Sequence, residues 1–374
     1  MREGWVKKHL GEVCESKLGK TLNASTDHGE IRPYLCAVNV KWDAFDLATI
    51  KKAPFDADEI KKYSVQKGDL LVCEGGETGR AAIWDKEEPI QYQNALHRIR
   101  FKDGTILPRF CLHYLRYLKL SGVLDKEYSH GATILHLVSK SLYSIPIEYP
   151  SLPEQQRIVD ILDREFAKID ALKANTEKSL QAAKDLFQAT LKKELEPKEG
   201  WKTTTLGQSL KLTSGDNLTA KNLVSGPFPV YGGNGIMGYH NQYNLDGQNL
   251  IVGRVGALCG NVRLVSGKIW YTDNAFLVHD KQNAFYLPFL LLVLTNANLR
   301  QFATQAAQPV VSNASMKDAR LSFPEAIEEQ KRIVPLLDDL NDKCNTLQQN
   351  YQKTLSLCDD LKQSLLRKAF SGEL

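Results

Sequence analysis

Residues Glu154-Gln155-Gln156-Arg157-Ile158-Val159-Asp160-Ile161-Leu162-Asp163 return as Glu329-Gln330-Lys331-Arg332-Ile333-Val334-Pro335-Leu336-Leu337-Asp338, and each copy opens a long helical segment. Repetition restricts the fold, because whatever supersecondary unit one copy builds the other must build as well. Other landmarks keep the same order. Glu3-Gly4-Trp5, followed by Leu10-Gly11, matches Glu199-Gly200-Trp201, followed by Leu206-Gly207. Gly68-Asp69-Leu70-Leu71-Val72, followed by Asn94-Ala95, matches Gly247-Gln248-Asn249-Leu250-Ile251-Val252, followed by Asn274-Ala275. Glu194-Leu195 and Glu373-Leu374 close the two copies. The chain therefore divides into a globular segment over 1–150, a helix over 151–197, a second globular segment over 198–325 and a second helix over 326–374.

In the second helix Ile333, Leu337, Leu340, Cys344, Leu347, Tyr351, Thr354, Cys358, Leu361 and Leu365 follow alternating steps of four and three, the seam of a coiled coil. The first repeats it less strictly through Ile158, Leu162, Ile169, Leu172, Thr176, Ala183, Leu186 and Thr190, with Glu165 and Ser179 interrupting. A helix of roughly forty residues is about 60 Å long. Each stripe needs a partner, either another chain in a homo-oligomer or the other stripe of the same chain. Single copies of matched length favour pairing within the chain, and the connectivity then makes the pair antiparallel. Pro335 predicts a bend or a late helix start.

The globular segments are β-rich. Asp69–Cys73, Ala81–Trp84, Leu96–Phe101, Asn249–Val252, Val262–Val265 and Ala275–Val278 read as short strands between glycine turns, with helices at Pro108–Leu120 and Leu287–Gln305. Each is expected to be a small α/β or α+β domain with a curved sheet, and the whole an α+β fold.

No apolar run reaches the roughly 20 residues that cross a bilayer, and the first residues lack a signal-peptide core, so a cytoplasmic protein is expected. The seven cysteines are dispersed and never spaced as CxxC, against a disulfide framework and against a zinc site. Net charge is +4, and its distribution says more than its size. The globular segments hold 22 and 11 basic residues against 20 and 7 acidic ones, while the helices hold 8 and 7 against 9 and 8. The globular segments thus lean mildly toward a polyanion.

Catalytic signatures are missing from the sequence. It has no GxxxxGK[ST] loop, no HExxH, no GxSxG and no Asn-Pro-Pro-aromatic motif. Gly75-Gly76-Glu77-Thr78-Gly79 and Gly232-Gly233-Asn234-Gly235 are glycine loops, but neither stands at a strand-to-helix junction followed by a ribose-binding acid. The eight histidines are scattered. No metal site and no catalytic residue are expected.

The doubled Glu-Gln-x-Arg-Ile-Val, the globular–helix–globular–helix order, Trp5 and Trp201 after glycine, and the ending Leu365-Leu366-Arg367-Lys368-Ala369-Phe370-Ser371-Gly372-Glu373-Leu374 resemble the specificity subunit of type I restriction-modification systems. The resemblance covers essentially the whole chain. It implies two pseudo-symmetric target-recognition domains, at 1–150 and 198–325, joined by two long antiparallel coiled-coil helices. Each domain would read half of a split, asymmetric site on double-stranded DNA, and helix length would set the unread gap. The resemblance further implies a subunit that is not itself an enzyme and binds no cofactor. Two methyltransferase (modification) subunits would carry S-adenosylmethionine and methylate adenine N6, docking on the helices and adjoining surfaces, and restriction/translocase subunits would join them.

A base reader needs Arg, Lys, Asn or Gln on loops facing a groove, with others gripping phosphate. In the first domain the candidates are Lys20, Thr21, Lys41, Thr78, Arg80, Gln91, Gln93, Asn94, His130 and Thr133. In the second they are Asn217, Tyr231, Asn234, Arg254, Asn274, Gln305 and Gln308. The shared context of Asn94 and Asn274 points instead to a common structural role, and Gly79 and Gly256 to loop shaping. Two other classes compete. A coiled-coil structural adaptor would explain the helices but not two elaborate, dissimilar domains, and a free-standing enzyme would need a catalytic motif that the chain lacks.

Overall fold

The computed structural model describes residues 4–23, 27–131, 133 and 135–374. Glu3, at the head of the first Glu-Gly-Trp, lies outside them. Contacts divide the chain into two units, Met1–Thr176 with Lys353–Leu374, and Glu177–Gln352.

In the first unit Cys14–Leu18, Leu96–Phe101, Leu70–Cys73 and Ala81–Ile83 form an antiparallel sheet in that order. A second sheet orders Lys51–Phe55, Glu30–Leu35, Ile90–Tyr92 and Ser64–Val65, with Ile90–Tyr92 parallel to Glu30–Leu35. Val6–His9 pairs with Pro146–Tyr149. The second unit repeats this plan. Leu210–Ser214, Ala275–Asp280, Asn249–Gly253 and Val262–Val265 form the four-stranded sheet, Gly235–His240, Phe228–Gly232 and Trp270–Tyr271 the other, and Trp201–Thr205 pairs with Arg320–Pro324. In each unit one helix covers the four-stranded sheet, Pro108–Leu120 or Leu287–Asn296. The second is shorter than its hydrophobic run suggests. Asn298 adopts a left-handed conformation just past its end, where asparagine serves as a helix stop, and a short 3-10 turn over Leu299–Phe302 follows.

The repeated landmarks turn out to be matched joints. Trp5 lies 6.3 Å from Phe110 and Trp201 6.4 Å from Phe289, each tryptophan packing on the third residue of the covering helix. The Leu10 and Leu206 amides donate at 2.9 Å to Ile145 and Ala319, just before the strand that returns to the long helix. A side chain at Gly11 would press on Tyr143 at 3.0 Å, and one at Gly207 on Lys317 at 3.1 Å, so glycine eases the close approach at both positions.

The glutamine of the Glu-Gln motif makes the strongest of these joints. Gln155 is fully buried; its amide oxygen accepts from the Leu107 backbone N–H at 2.9 Å, and its Nε2 donates to the carbonyls of Thr105 and Pro150 at 2.9 Å. Gln330, equally buried, accepts from the Tyr286 N–H at 2.7 Å and donates to the carbonyls of Ala284 and Pro324 at 2.8 Å. Leu107 and Tyr286 precede the covering helices, whose first amides have no intrahelical partner. One side chain thereby ties the loop before the covering helix and the end of the returning strand to the first turn of its long helix.

The long helices span Leu152–Glu194 and Ile327–Ser371, and each begins in one unit and ends in the other. Within the first unit Arg157 donates to the Leu374 carbonyl, Asp170 pairs with Lys362, and Lys173 pairs with Asp359 at 2.8 Å. The partner number falls as the first rises, so the pair is antiparallel and lies within one chain. In the second unit Leu191 and Leu195 share a core with Ile333, Val334 and Leu337.

The seam differs from its periodicity. Ile158, Leu162, Ile169, Thr176 and Ala183 are buried as expected, but Leu172 and Leu186 are half exposed. In the second helix Ile333, Leu337, Cys344 and Cys358 are buried, whereas Leu347 and Leu361 are exposed, and burial moves to Leu366, Ala369 and Phe370. A strict 3.5-residue repeat drifts around a 3.6-residue helix, and here the domain decides where it lands. Phe370 packs 5.3 Å from Phe110, 5.2 Å from Tyr114 and 5.5 Å from Tyr117. Pro335 does not delay the helix, which begins at Ile327; it sits inside and removes one backbone hydrogen bond. No helix among the described residues is long and apolar enough to cross a membrane.

Candidate nucleic-acid interface

In each unit several loops meet at one end of the four-stranded sheet. Leaving Leu70–Cys73, the Glu74 amide donates to the Ala95 carbonyl at 2.9 Å, and the Glu74 carbonyl accepts from Leu137 N at 2.7 Å. Leaving Asn249–Gly253, the Arg254 amide donates to the Asn274 carbonyl at 2.9 Å, and the Arg254 carbonyl accepts from Val311 N at 2.9 Å. The Gly19 amide reaches the Leu96 carbonyl as the Gly215 amide reaches that of Ala275. These bonds place Lys20 and Asp216, Glu74 and Arg254, and Leu137 and Val311 at corresponding stations. They also correct the pairing of Asn94 with Asn274, because Asn274 corresponds to Ala95 and Asn94 to Asp273. An insertion ahead of Leu250 hides the shift of one residue.

The second unit gathers its candidates most closely. Asn234, Asn274 and Gln308 line one concavity of about 270 Å³ together with Gly233, Val255 and Gly256. All three polar side chains are exposed. Asn234 turns the hairpin between Phe228–Gly232 and Gly235–His240, and its Oδ1 accepts from Leu258 N at 3.1 Å. Gly256 has φ of +93° and faces the Asn234 side chain, so a Cβ would be both strained and crowded. Arg254 lies over the Phe276 ring at 5.4 Å, its Nη1 making long bonds of 3.3 Å to the Asp273 carbonyl and 3.4 Å to Ser214 Oγ. Asn217 and Gln305 are exposed on neighbouring loops. Tyr231 is half buried against the Ile251 and Leu277 cluster and serves mainly as packing.

In the first unit Thr21, His130 and Thr133 are exposed at the corresponding end. His130 Nε2 bonds Ser141 Oγ at 3.0 Å, and Thr21 Oγ1 accepts from Asn94 Nδ2 at 3.2 Å. Gln93 is half buried beside Lys20 in a parallel bridge. Lys41 is exposed on the small hairpin of Val40–Lys41 and Ala44–Phe45.

Three candidates are corrected by burial, and a fourth, Arg80, is half buried and bonded within the domain. Lys20 is only 4% exposed; it pairs with Glu59 at 2.7 Å and Asp27 at 3.1 Å, donates to the Pro54 carbonyl at 3.0 Å, and covers the Phe55 ring. Burial alone would lower its pKa, but the two carboxylates raise it, so the ammonium is committed inside the domain. Thr78 is buried and donates to Asp125 at 2.6 Å while accepting from Lys119 at 3.2 Å. Gln91 is buried within its strand, with Nε2 3.4 Å from the Ile60 carbonyl. Arg80 is half buried, binding Glu77 at 3.1 Å and the Ala37 carbonyl at 2.9 Å. Polar residues on short strands and tight turns are recruited to internal bonding, and residue type alone does not reveal it.

Residues 2–182 and 198–357 match the sequence model of the type I restriction modification DNA specificity domain. The chain belongs to that family. It is 34% identical over 151 residues to the type I restriction enzyme EcoprrI specificity subunit of Escherichia coli, a match spanning 39% of this chain and 37% of that relative. It is 26% identical over 434 aligned residues to the StySPI specificity subunit of Salmonella potsdam, covering 100% of this chain and 89% of that one. A solved chain from a study of complex assembly and conformational transition of the type I R-M system shares the fold, with a TM-score of 0.81 at 16% identity over 100% of this chain and 99% of that one.

Glu74, which is not among the donor candidates, stands at the station of Arg254, and Leu70-Leu71-Val72-Cys73-Glu74 aligns with Leu250-Ile251-Val252-Gly253-Arg254. Among the described residues no three His, Cys, Asp or Glu side chains converge as metal ligands.

Proposed function

We propose that this chain is the DNA sequence-recognition subunit of a type I restriction-modification complex, reading a bipartite asymmetric site on double-stranded DNA. The observation that carries the reading is the pair of loop clusters at the same end of the same sheet in both units, alike in backbone bonding and unlike in side chains. A scaffold common to two domains with different polar groups at matching stations suits two different half-sites, since backbone geometry positions and side chains discriminate. An adaptor without DNA binding would not need that divergence.

The chain itself supplies recognition and not catalysis. Its partners are two methyltransferase subunits, which carry S-adenosylmethionine and modify adenine N6, together with restriction/translocase subunits. Half-exposed leucines on the long helices, Leu172, Leu186, Leu347 and Leu361, support a docking role for these surfaces. The test is to co-express the full chain with the methyltransferase subunits and map methylated adenines across a genome. A single split motif with a fixed gap is expected, and gel retardation by the purified complex should depend on that motif. Equal retardation of every DNA, with methylation at no defined motif, would overturn the reading.

A further inference from the structure

Glu74 and Arg254 occupy the same place in their domains, and they carry opposite charge. Each is the first residue beyond the central strand of the sheet, held by the two equivalent backbone bonds described above. Each lies beside the second residue of the neighbouring strand, His97 under Glu74 and Phe276 under Arg254. The Arg254 guanidinium lies 5.4 Å over the Phe276 ring. His97 Nε2 stands 3.9 Å from Glu74 Oε2 but bonds the Leu137 carbonyl at 2.9 Å, so it does not satisfy the carboxylate.

Both side chains are only partly buried, so polar atoms other than Glu74 Oε2 and Arg254 Nε, which are enclosed and unbonded as Nε of Arg32, Arg80 and Arg98 also is, can meet a partner. The partner must differ between the domains, because a carboxylate only accepts and a guanidinium only donates. Neither side chain is required by the backbone joint, which is made entirely of main-chain atoms and is the same in both units.

We propose that Glu74 and Arg254 are a specificity-determining pair, each reading one base of its own half-site with opposite hydrogen-bonding polarity. Glu74 takes a base that presents an amino donor in the major groove, cytosine N4 or adenine N6, and Arg254 takes the paired acceptors of guanine. The inference rests on the DNA-reading function proposed above and adds the station at which the two domains diverge.

The experiment compares Glu74→Gln and Arg254→Gln with the unmodified full chain, each co-expressed with the methyltransferase subunits, by genome-wide mapping of methylated adenine. Glu74→Gln should relax or change one position in one half-site, and Arg254→Gln one position in the other half-site. Discrimination at the affected position should drop about tenfold or more, with the opposite half-site and the gap unchanged. Glu74→Asp and Arg254→Lys provide the second measurement if either glutamine variant fails to fold, and they too should lower discrimination at the same single position. An unaltered motif, or a uniform loss of methylation at all positions by a folded complex, would overturn the proposal. An unmodified chain that directs no motif at all would instead remove the proposed function, which separates the two failures.

Discussion

Gln155 shows how one residue converts a repeated sequence into a repeated joint. Replacing it with leucine removes three hydrogen bonds and leaves the Leu107 amide and two carbonyls, of Thr105 and Pro150, without their partner. Each buried group left unpaired costs about 1–3 kcal/mol. Gln155→Leu should therefore destabilise the first unit by at least 2 kcal/mol (roughly, from that range), measured as faster amide exchange in Pro108–Leu120. Gln330→Leu should act likewise on Leu287–Asn296. Exchange unchanged in both helices would show the joint to be dispensable. Legibility at this scale was uneven. The doubled glutamine was visible in the sequence, but its three carbonyl and amide partners lie 44 to 50 residues away or just upstream. Lys20 failed as a base reader for the same reason, since Glu59 and Asp27 reach it only through the fold.

The helix Pro108–Leu120 is coupled to its long helix by a charged network. Arg109 donates to both Asp43 oxygens at 2.7 Å and to Asp163 at 2.5 Å, and His113 Nε2 donates to the other Asp163 oxygen at 2.8 Å. Burial pushes the His113 pKa below its ordinary value of about 6.5. Burial would raise that of Asp163, but bonds from His113 and Arg109 hold it below the usual carboxylate range. The signs agree. As pH falls below about 6.5 the unfolded chain binds a proton that folded His113 resists, so stability declines with acid. Asp163 adds stability above its unfolded pKa, lost as pH falls toward the folded value. His97, lowered mainly by burial, acts in the same direction as His113. Protection of the Pro108–Leu120 amides, taken relative to the intrinsic exchange rate at each pH, should fall between pH 7 and 5, and His113→Gln should flatten that dependence; protection insensitive to pH over this range would refute the assignment. At this scale periodicity located the strands of the helix-covered sheet in each unit except the edge strands Cys14–Leu18 and Leu210–Ser214, and none of the other sheet of either unit. Cys14–Leu18 holds three polar residues in a row and Leu210–Ser214 ends in two, so neither shows a clear alternation, and they become strands by pairing with Leu96–Phe101 and Ala275–Asp280.

Each long helix runs unbroken through both units, with no loop between Leu152 and Glu194 or between Ile327 and Ser371. Seven residues keep the heptad seam in register and add about 10 Å. Inserting seven-residue segments after Thr176 and after Gln352, where the units divide, should lengthen the unread gap by about three base pairs at 3.4 Å each and leave both half-site sequences intact. Methylated-motif mapping reads both at once, and a gap of unchanged length would show that helix length does not set it. The duplication, the order of segments, the two helices and their antiparallel pairing follow from the sequence alone, because periodicity and repetition are properties of local spacing. Which seam positions are buried, which polar residues are spent inside the domains, and which face each other at the loop ends were decided by the tertiary structure. Those outcomes depend on groups distant in the chain. Lys20 and Thr78 look like readers until their internal partners are seen, whereas Glu74 and Arg254, already aligned in sequence, are held at the same station by equivalent backbone bonds.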